Sequence, residues 1–281
     1  MIYFLTVNYY ASDLIAKLIK SIENQNLGDY QILIINNSPE DSHIHQYSST
    51  KVEIIEAEKN LGFACGCNLG LHRIYQQDSQ SIVWLINPDA YLENNCLNQA
   101  VSFWQTNQQV SILGTLINTP EHKTWFAGGK FMPHLGAIIE TDLISSHPEQ
   151  EYIACDWVSG CSLLINLANF SQCPQFDSKY FLYYEDVDFC HNYQRQGHLV
   201  AITGKISIIH QPSSITDRHI SNKIHHSTYS YLQFLSKYTN KITWWLRFLR
   251  VLIYAICILP IKPQVTIGKL SGIKSYFAVA D

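Results

Sequence analysis

The first ninety residues alternate short apolar runs with longer amphipathic stretches, and this alternation narrows the fold more than any other feature. It builds βα units whose strands lie side by side in a parallel sheet. Strands are expected at Ile2–Val7, Gln31–Ile35, Val52–Glu56 and Ile82–Ile86. Ser12 is the expected N-cap of a first helix, whose Leu14, Ile15, Leu18, Ile19 and Ile22 share one face that should cover the sheet. A second helix is expected from near Gly66, where the glycine-rich stretch 60–70 gives way to the recurrence of Leu69, Leu71 and Ile74. Flexible backbone thus stands directly before a helix N-terminus. After Asn87-Pro88-Asp89 a third helix should run to about Gln105, followed by a strand at Val110–Ile117.

From Glu121 to Ser146 the pattern turns irregular, with Gly128, Gly129, Pro133 and Gly136 marking turns in hairpins. Such a region usually carries the variable part of a binding site. Trp157–Ile165 reads as a strand broken at Gly160, and Asp186–Gln196 as a short helix ended by Gly197. Two further strands are expected near Leu199–Thr203 and Ile206–His210.

The last seventy residues differ in character. A polar helix through Tyr229–Tyr238 leads to the apolar segment 242–261, whose uncharged part covers only Val251–Ile261. That is too short to span about 30 Å of hydrocarbon as a helix. Trp244 and Trp245 beside Arg247 and Arg250, flanked by Lys241 and Lys262, suit a helix lying in a membrane interface. The alternative is a helix buried against the rest of the chain or against a dimer partner. The expected organisation is therefore an α/β domain at 1–220 and a helical, membrane-associating extension at 221–281.

With 47% hydrophobic and 15% charged residues and a formal net charge of −4, the composition is globular and not basic enough for nucleic acid. A phosphate-bearing ligand would then need local help from a metal or from backbone amides. Met1 is followed at once by Ile2–Val7 without the basic start of a signal peptide, so the eight cysteines are expected to be reduced, cytosolic packing thiols. Cys65 and Cys67 are close, but no second pair stands at zinc-site spacing. The pairs His43/His45 and His225/His226 sit among polar neighbours and read as surface residues.

Two segments carry candidate chemistry. Asn87-Pro88-Asp89 places an acid at the carboxyl end of a buried strand, where open α/β sheets bind ligands, although Asx-Pro turn chemistry would account for it equally. Tyr183–Cys190 gathers Glu185, Asp186 and Asp188 within four positions. These acids can point from a helix N-terminus into a cleft, or simply cap that helix against its dipole.

Taken together, these features resemble glycosyltransferase family 2, and particularly its bacterial rhamnosyltransferase-like branch. The resemblance covers about residues 2–215 and is carried, in order, by Thr6-Val-Asn-Tyr9, Ile34-Ile-Asn-Asn-Ser38, Asn60-Leu-Gly-Phe63 with Asn68-Leu-Gly70, Leu85-Ile-Asn-Pro-Asp89, Trp157-Val-Ser-Gly-Cys161, Phe176-Asp177, Phe181–Asp188, Gly197, and His210 with Ser214. It implies a GT-A type fold, a Rossmann-like, mixed but mainly parallel sheet flanked by helices. It implies that Thr6, Asn8, Asn36, Asn60, Gly62 and Asn68 cradle the nucleotide of a nucleotide-sugar donor. Asp89 would hold a divalent cation, Mg or Mn, on the diphosphate, with His210 as a further metal or diphosphate contact; a hydrogen-bonded core histidine is the plainer reading of His210. Asp186 would be the general base of an inverting transfer, and Trp157, Tyr184 and Glu185 would shape the acceptor site.

The donor this branch suggests is dTDP-rhamnose, and the acceptor a lipid-linked or growing cell-surface polysaccharide at the inner face of the plasma membrane. A UDP-hexose or UDP-N-acetylhexosamine donor and a non-catalytic relative that binds glycan or protein are the alternatives. A homodimer is compatible with either. Two positions depart from the family pattern: Asn36 stands where relatives usually carry an acid, and Asn166 where they often carry Arg.

Overall fold

The computed structural model describes residues 1–25, 29–211 and 220–280. In chain order the elements are β1 (Ile2–Asn8), α1 (Ser12–Glu23), β2 (Tyr30–Asn36), β3 (Val52–Glu56), α2 (Gly62–Gln77), β4 (Ile82–Ile86), β5 (Ala90–Leu92), α3 (Cys96–Thr106), β6 (Val110–Asn118), β7 (Thr124–Phe126), β8 (Gly129–Met132), β9 (Ala137–Glu140), α4 (Leu143–Ser146), β10 (Ile153–Ala154), β11 (Ser162–Asn166), α5 (Glu185–Arg195), β12 (Leu199–His210), α6 (Ile220–Tyr238), α7 (Lys241–Ile258) and α8 (Pro263–Ala280). The main sheet runs β10-β12-β6-β11-β4-β1-β2-β3, with β5 paired to β12 and β7 to β6. The β4-β1-β2-β3 half is parallel, and β11 enters antiparallel between β4 and β6.

The apolar runs become central strands because both faces are covered. Phe4, Leu5, Ile34, Ile35, Trp84 and Leu85 are all essentially inaccessible, and Phe4 stacks on Trp84 at 5.1 Å. α1 buries Ile15, Leu18, Ile19 and Ile22 of the face read from the sequence. Its N-cap, however, is Ala11, whose N–H donates to Asn8 Oδ1; Ser12 is the first residue of the helix and its hydroxyl donates to Asp41. α2 lies close on β1 because Gly66 and Gly70 leave room for Val7 and Leu5; a Cβ at Gly66 would stand 3.0 Å from a Val7 methyl.

Several boundaries move from their expected places. α2 begins at Gly62 rather than near Gly66, because Gly62 adopts φ +79 and the next N–H, of Phe63, is bound by the Phe181 carbonyl. The stretch after Asp89 first forms β5 against β12 before α3 starts. Trp157–Cys161 is a loop joined to the small hairpin β8–β9 by a Gly129–Trp157 bridge, and only Ser162–Asn166 is strand. The two strands expected in 199–210 are one, because an irregularity between Thr203 and Ser207 absorbs the break at Gly204. α8 was not anticipated from the sequence. Leu232, Phe234 and Leu235 of α6 and Trp244 and Phe248 of α7 join the same apolar core as the sheet. Among the described residues no helix is long and apolar enough to cross a membrane.

Candidate active site

The carboxyl ends of the parallel strands collect the candidate residues. β4 ends at Ile86, and the turn that follows is held by the Asn87 N–H donating to the Cys161 carbonyl at 3.0 Å. One residue back in that loop, the Gly160 N–H donates to Asp186 Oδ2 at 2.9 Å. Asp89 and Asp186 are thus brought to the two sides of a single Gly160–Cys161 turn. The buried Cys161 thiol registers both: burial pushes it well up, and Asp89 and then Asp186 push it further.

Asp89 faces His210, with the Nε2 atom 3.3 Å from Oδ1 and both side chains only 7% exposed. The pairing is dictated by the backbone, since β5 places Ala90 opposite His210 and the Gln211 N–H bonds the Asp89 carbonyl. Trp125 packs edge-on against the His210 ring at 4.6 Å, and His210 Nδ1 is buried without a hydrogen-bond partner among the described residues. No cluster of three His, Cys, Asp or Glu side chains occurs among the described residues. The Asp89 carboxylate is the kind of oxygen ligand a hard divalent ion takes, alongside waters and phosphate oxygens.

Asp186 opens α5, and the approach to it is strained. Tyr183 and Tyr184 both take positive φ, +70 and +64, a conformation costing a non-glycine residue roughly 1–3 kcal/mol. It persists because the segment is tied on both sides. The Phe181 carbonyl accepts the Phe63 N–H of α2, the Leu182 carbonyl accepts the Ser230 hydroxyl of α6, and Tyr184 packs against Tyr231 at 5.6 Å. The result aims Asp186 back at the Gly160 turn. Burial raises Asp186 above the ordinary aspartate value, against the pull of the Gly160 and Val187 N–H groups. Glu185 is held well above the carboxylate range, by burial first and by Asp186 second.

The third acid plays a different part. Asp188 is buried, accepts the Tyr180 hydroxyl at 3.1 Å, and is clasped by Lys237 of α6 at 2.8 and 3.0 Å. Lys237 also reaches Asp177 at 3.2 Å. This ion pair ties α5, and with it Asp186, to α6.

At the β1–β3 end, Asn8 donates to Asn36 Oδ1 at 2.9 Å, and Asn36 donates to both oxygens of Glu56. Thr6, Asn8 and Asn36 are fully buried and so form a floor; in this conformation their side chains present no open edge. Asn60 is exposed, and its loop is held by Asn37, which donates to Asn60 Oδ1 and the Gly62 carbonyl and accepts the Leu61 N–H. Asn68 spends its amide on both polar atoms of the Phe176 backbone. Trp157 is covered by Phe126 and Gly129 and braces the loop from behind, its ring closed to an acceptor. Asn166 lies at the opposite end of the sheet, paired with Ile82 at the start of β4, far from where its replacement of Arg could bear on a donor.

Asn37, Glu56 and Lys237 were missed from the sequence. Glu56 alone left a trace, as the charge on which the strand Val52–Glu56 closes.

The sequence profile of Glycosyl transferase family 2 matches residues 3–160, more than half of the chain's 281 residues. The chain belongs to glycosyltransferase family 2. Within this glycosyltransferase, 198 residues are 22% identical to the low-salt glycan biosynthesis hexosyltransferase Agl10 of Haloferax volcanii, covering 68% of the chain and 62% of the relative. A shorter match of 79 residues, 33% identical, links it to the N-acetylglucosaminyl-diphospho-decaprenol L-rhamnosyltransferase of Mycobacterium tuberculosis, over 27% of the chain and 26% of the relative. Its fold superposes on a mannosyltransferase from Pyrobaculum calidifontis in complex with GDP-Man and Mn2+, with a TM-score of 0.61 at 10% identity, over 100% of the chain and 88% of the other. The glycosyltransferase fold is therefore of the GT-A type.

Proposed function

We propose that the protein transfers a sugar with inversion from a nucleotide-sugar donor, rhamnose from dTDP-rhamnose as the first choice, onto a lipid-linked or growing cell-surface polysaccharide. The observation that carries this reading is the convergence of Asp89 and Asp186 on the Gly160–Cys161 turn. Inversion needs a hydroxyl to attack opposite the departing diphosphate, with a carboxylate taking its proton. Asp186 supplies that carboxylate from one side of the turn, while Asp89 and His210 face the diphosphate from the other. A bound Mg or Mn would stabilise charge building on the leaving group. Asn60 and Gly62 border the donor cleft above the Thr6, Asn8 and Asn36 floor, Asn68 fixes the segment leading to the base, and Trp157, Tyr184 and Glu185 support the acceptor side. The names of the relatives favour a hexosyl or rhamnosyl group, and the mycobacterial one names a lipid diphosphate acceptor. A UDP-hexose or UDP-N-acetylhexosamine is the alternative donor.

The purified protein should be stabilised by one of these nucleotide sugars in the presence of Mg or Mn. A ligand at about 100 times its dissociation constant adds roughly 2.7 kcal/mol, readily seen as a rise in Tm. Asp89→Asn should abolish the metal-dependent part of that rise. No shift with any dTDP- or UDP-sugar would remove the reading.

The outer face of α7 supports a peripheral position at the inner surface of the plasma membrane. Trp244, Phe248 and Ala255 are buried, while Ile242, Trp245, Leu246, Leu249, Ile253 and Ile256 form an exposed stripe along the opposite side. Residues 241–280 hold Lys241, Arg247, Arg250, Lys262, Lys269 and Lys274 and no acid. An apolar stripe within a cationic segment suits an anionic lipid surface. The protein should cosediment with vesicles containing anionic phospholipid and release at high salt; Trp245→Glu with Leu249→Glu should abolish this. A concentration-dependent dimer in place of lipid binding would assign the stripe to a second copy.

A further inference from the structure

The ends of β1, β2 and β3 set Asn8, Asn36 and Glu56 side by side in register, Asn8 opposite Asn36 and Asn36 opposite Glu56. Their polar atoms form a one-way chain. Asn8 Nδ2 donates to Asn36 Oδ1 at 2.9 Å, and Asn36 Nδ2 donates to Glu56 Oε1 at 3.1 Å and Oε2 at 2.9 Å. The Ser38 hydroxyl also donates to Asn36 Oδ1, at 3.2 Å. Asn36 has therefore spent both ends of its amide and has no exposed surface. It can offer nothing to a ligand.

The chain of bonds ends on Glu56, whose side chain is 44% exposed, with His45 Nε2 3.3 Å from Oε1. A carboxylate offers about four lone-pair positions, and Asn36 and His45 together leave some of them open. An acid at position 36 as well would place two carboxylates about 3 Å apart, where both cannot ionise. Asn36 and Glu56 thus form one device: the negative charge has moved out by one strand, and the amide at 36 connects it to the floor.

A carboxylate in a nucleotide cleft repels the diphosphate, so its complement is the part of the donor that presents N–H groups. At the end of β1, Tyr9 and Tyr10 follow Asn8 and are each about 40% exposed; the Tyr10 N–H is anchored to the Ser38 hydroxyl at 3.1 Å and its hydroxyl donates to Glu40 at 2.9 Å. An aromatic surface next to an acceptor is what a planar base with a ring N–H requires.

We propose that Glu56 reads the imino N–H of the donor's nucleobase and makes the protein select uracil, thymine or guanine against cytosine. Uracil and thymine carry this hydrogen at N3 and guanine at N1, whereas N3 of cytosine is itself an acceptor. The assignment rests on the reading of this cleft as a nucleotide-sugar site.

The test is calorimetric titration of the full chain with UDP, dTDP, GDP and CDP, each with Mn present, on wild type, Glu56→Gln and Glu56→Asp. Wild type should bind at least one of the three imino-bearing nucleotides about tenfold or more tighter than CDP, as expected for a hydrogen bond to a charged group. In Glu56→Gln the new carbonyl will stay with the Asn36 amide and turn its NH2 outward, so the imino-base preference should be lost and CDP should gain. Glu56→Asp keeps the charge but withdraws it by one methylene, and should weaken the imino bases without improving CDP. A Tm within a few degrees of wild type checks that each variant is folded. Equal binding of CDP and the others by wild type, or an unchanged preference in a folded Glu56→Gln, overturns the assignment. Failure of wild type to bind any of the four overturns the nucleotide-sugar reading itself, and this assignment with it.

Discussion

Asp186→Asn should lower turnover by about 10²–10⁴-fold, the range a positioned general base contributes, while donor binding stays within a few-fold of wild type. The asymmetry follows from geometry. Asp186 is bonded to the Gly160 turn, whereas Asp89 is paired with His210 on β12, so the substitution would remove the proposed proton acceptor without touching the groups proposed to meet the diphosphate. Asn also cannot accept both backbone bonds that Asp186 takes from Gly160 and Val187, so Tm and donor binding must be measured alongside. The pH profile adds a second readout. Because burial raises Asp186, the acidic limb of kcat/KM should lie above the ordinary aspartate range, with activity lost as pH falls and the base takes up its proton. Unchanged turnover, or an acidic limb that survives in Asp186→Asn, would sink the base role.

The second large effect is on stability. Lys237→Ala leaves the Asp188 carboxylate, 2% exposed, without the ammonium that clasps it at 2.8 Å. Breaking a buried pair from one side typically costs 3–5 kcal/mol. The Lys237 end is a third exposed, so the lower end of that range, about 3 kcal/mol, is expected, or a fall in Tm of roughly 6–12 °C. Burial already raises Asp188 despite the lysine, so in the variant it will be raised further. A carboxyl raised in the folded state stabilises at low pH and loses that contribution as pH rises through its folded value. The deficit of Lys237→Ala should therefore grow from acidic toward neutral pH. Asp188→Asn added to Lys237→Ala should recover most of it; a double variant as unstable as the single one would show that the charge was not the cause.

Much of this architecture is legible in the chain because burial imposes a pattern. Strands covered on both faces must be apolar throughout, which is why Ile82–Ile86 falls where the sequence puts it. Asp89 stands out in the chain as an acid three residues beyond such a strand, and Asp186 as one of three acids gathered at a helix start. What escaped is decided by partners distant in sequence. The early start of α2 depends on the Phe181 carbonyl, β5 on β12, and the single long β12 on an irregularity against β6. The burial of Trp157 escaped as well, because a tryptophan near a glycine turn says nothing of the Gly129 backbone that covers it. Glu56 escaped because its meaning arises only when three strand ends align.

The two left-handed tyrosines before α5 bear on how this protein can be divided. Their posture is secured by α2 on one side and by Ser230 and Tyr231 on the other, beyond the stretch that marks the family. A truncated protein ending at residue 220 would retain every acid named above yet release the hinge that points Asp186 inward. Chimeras that exchange the C-terminal hairpin must accordingly be joined after Tyr238, so that α6 travels with the head it steadies.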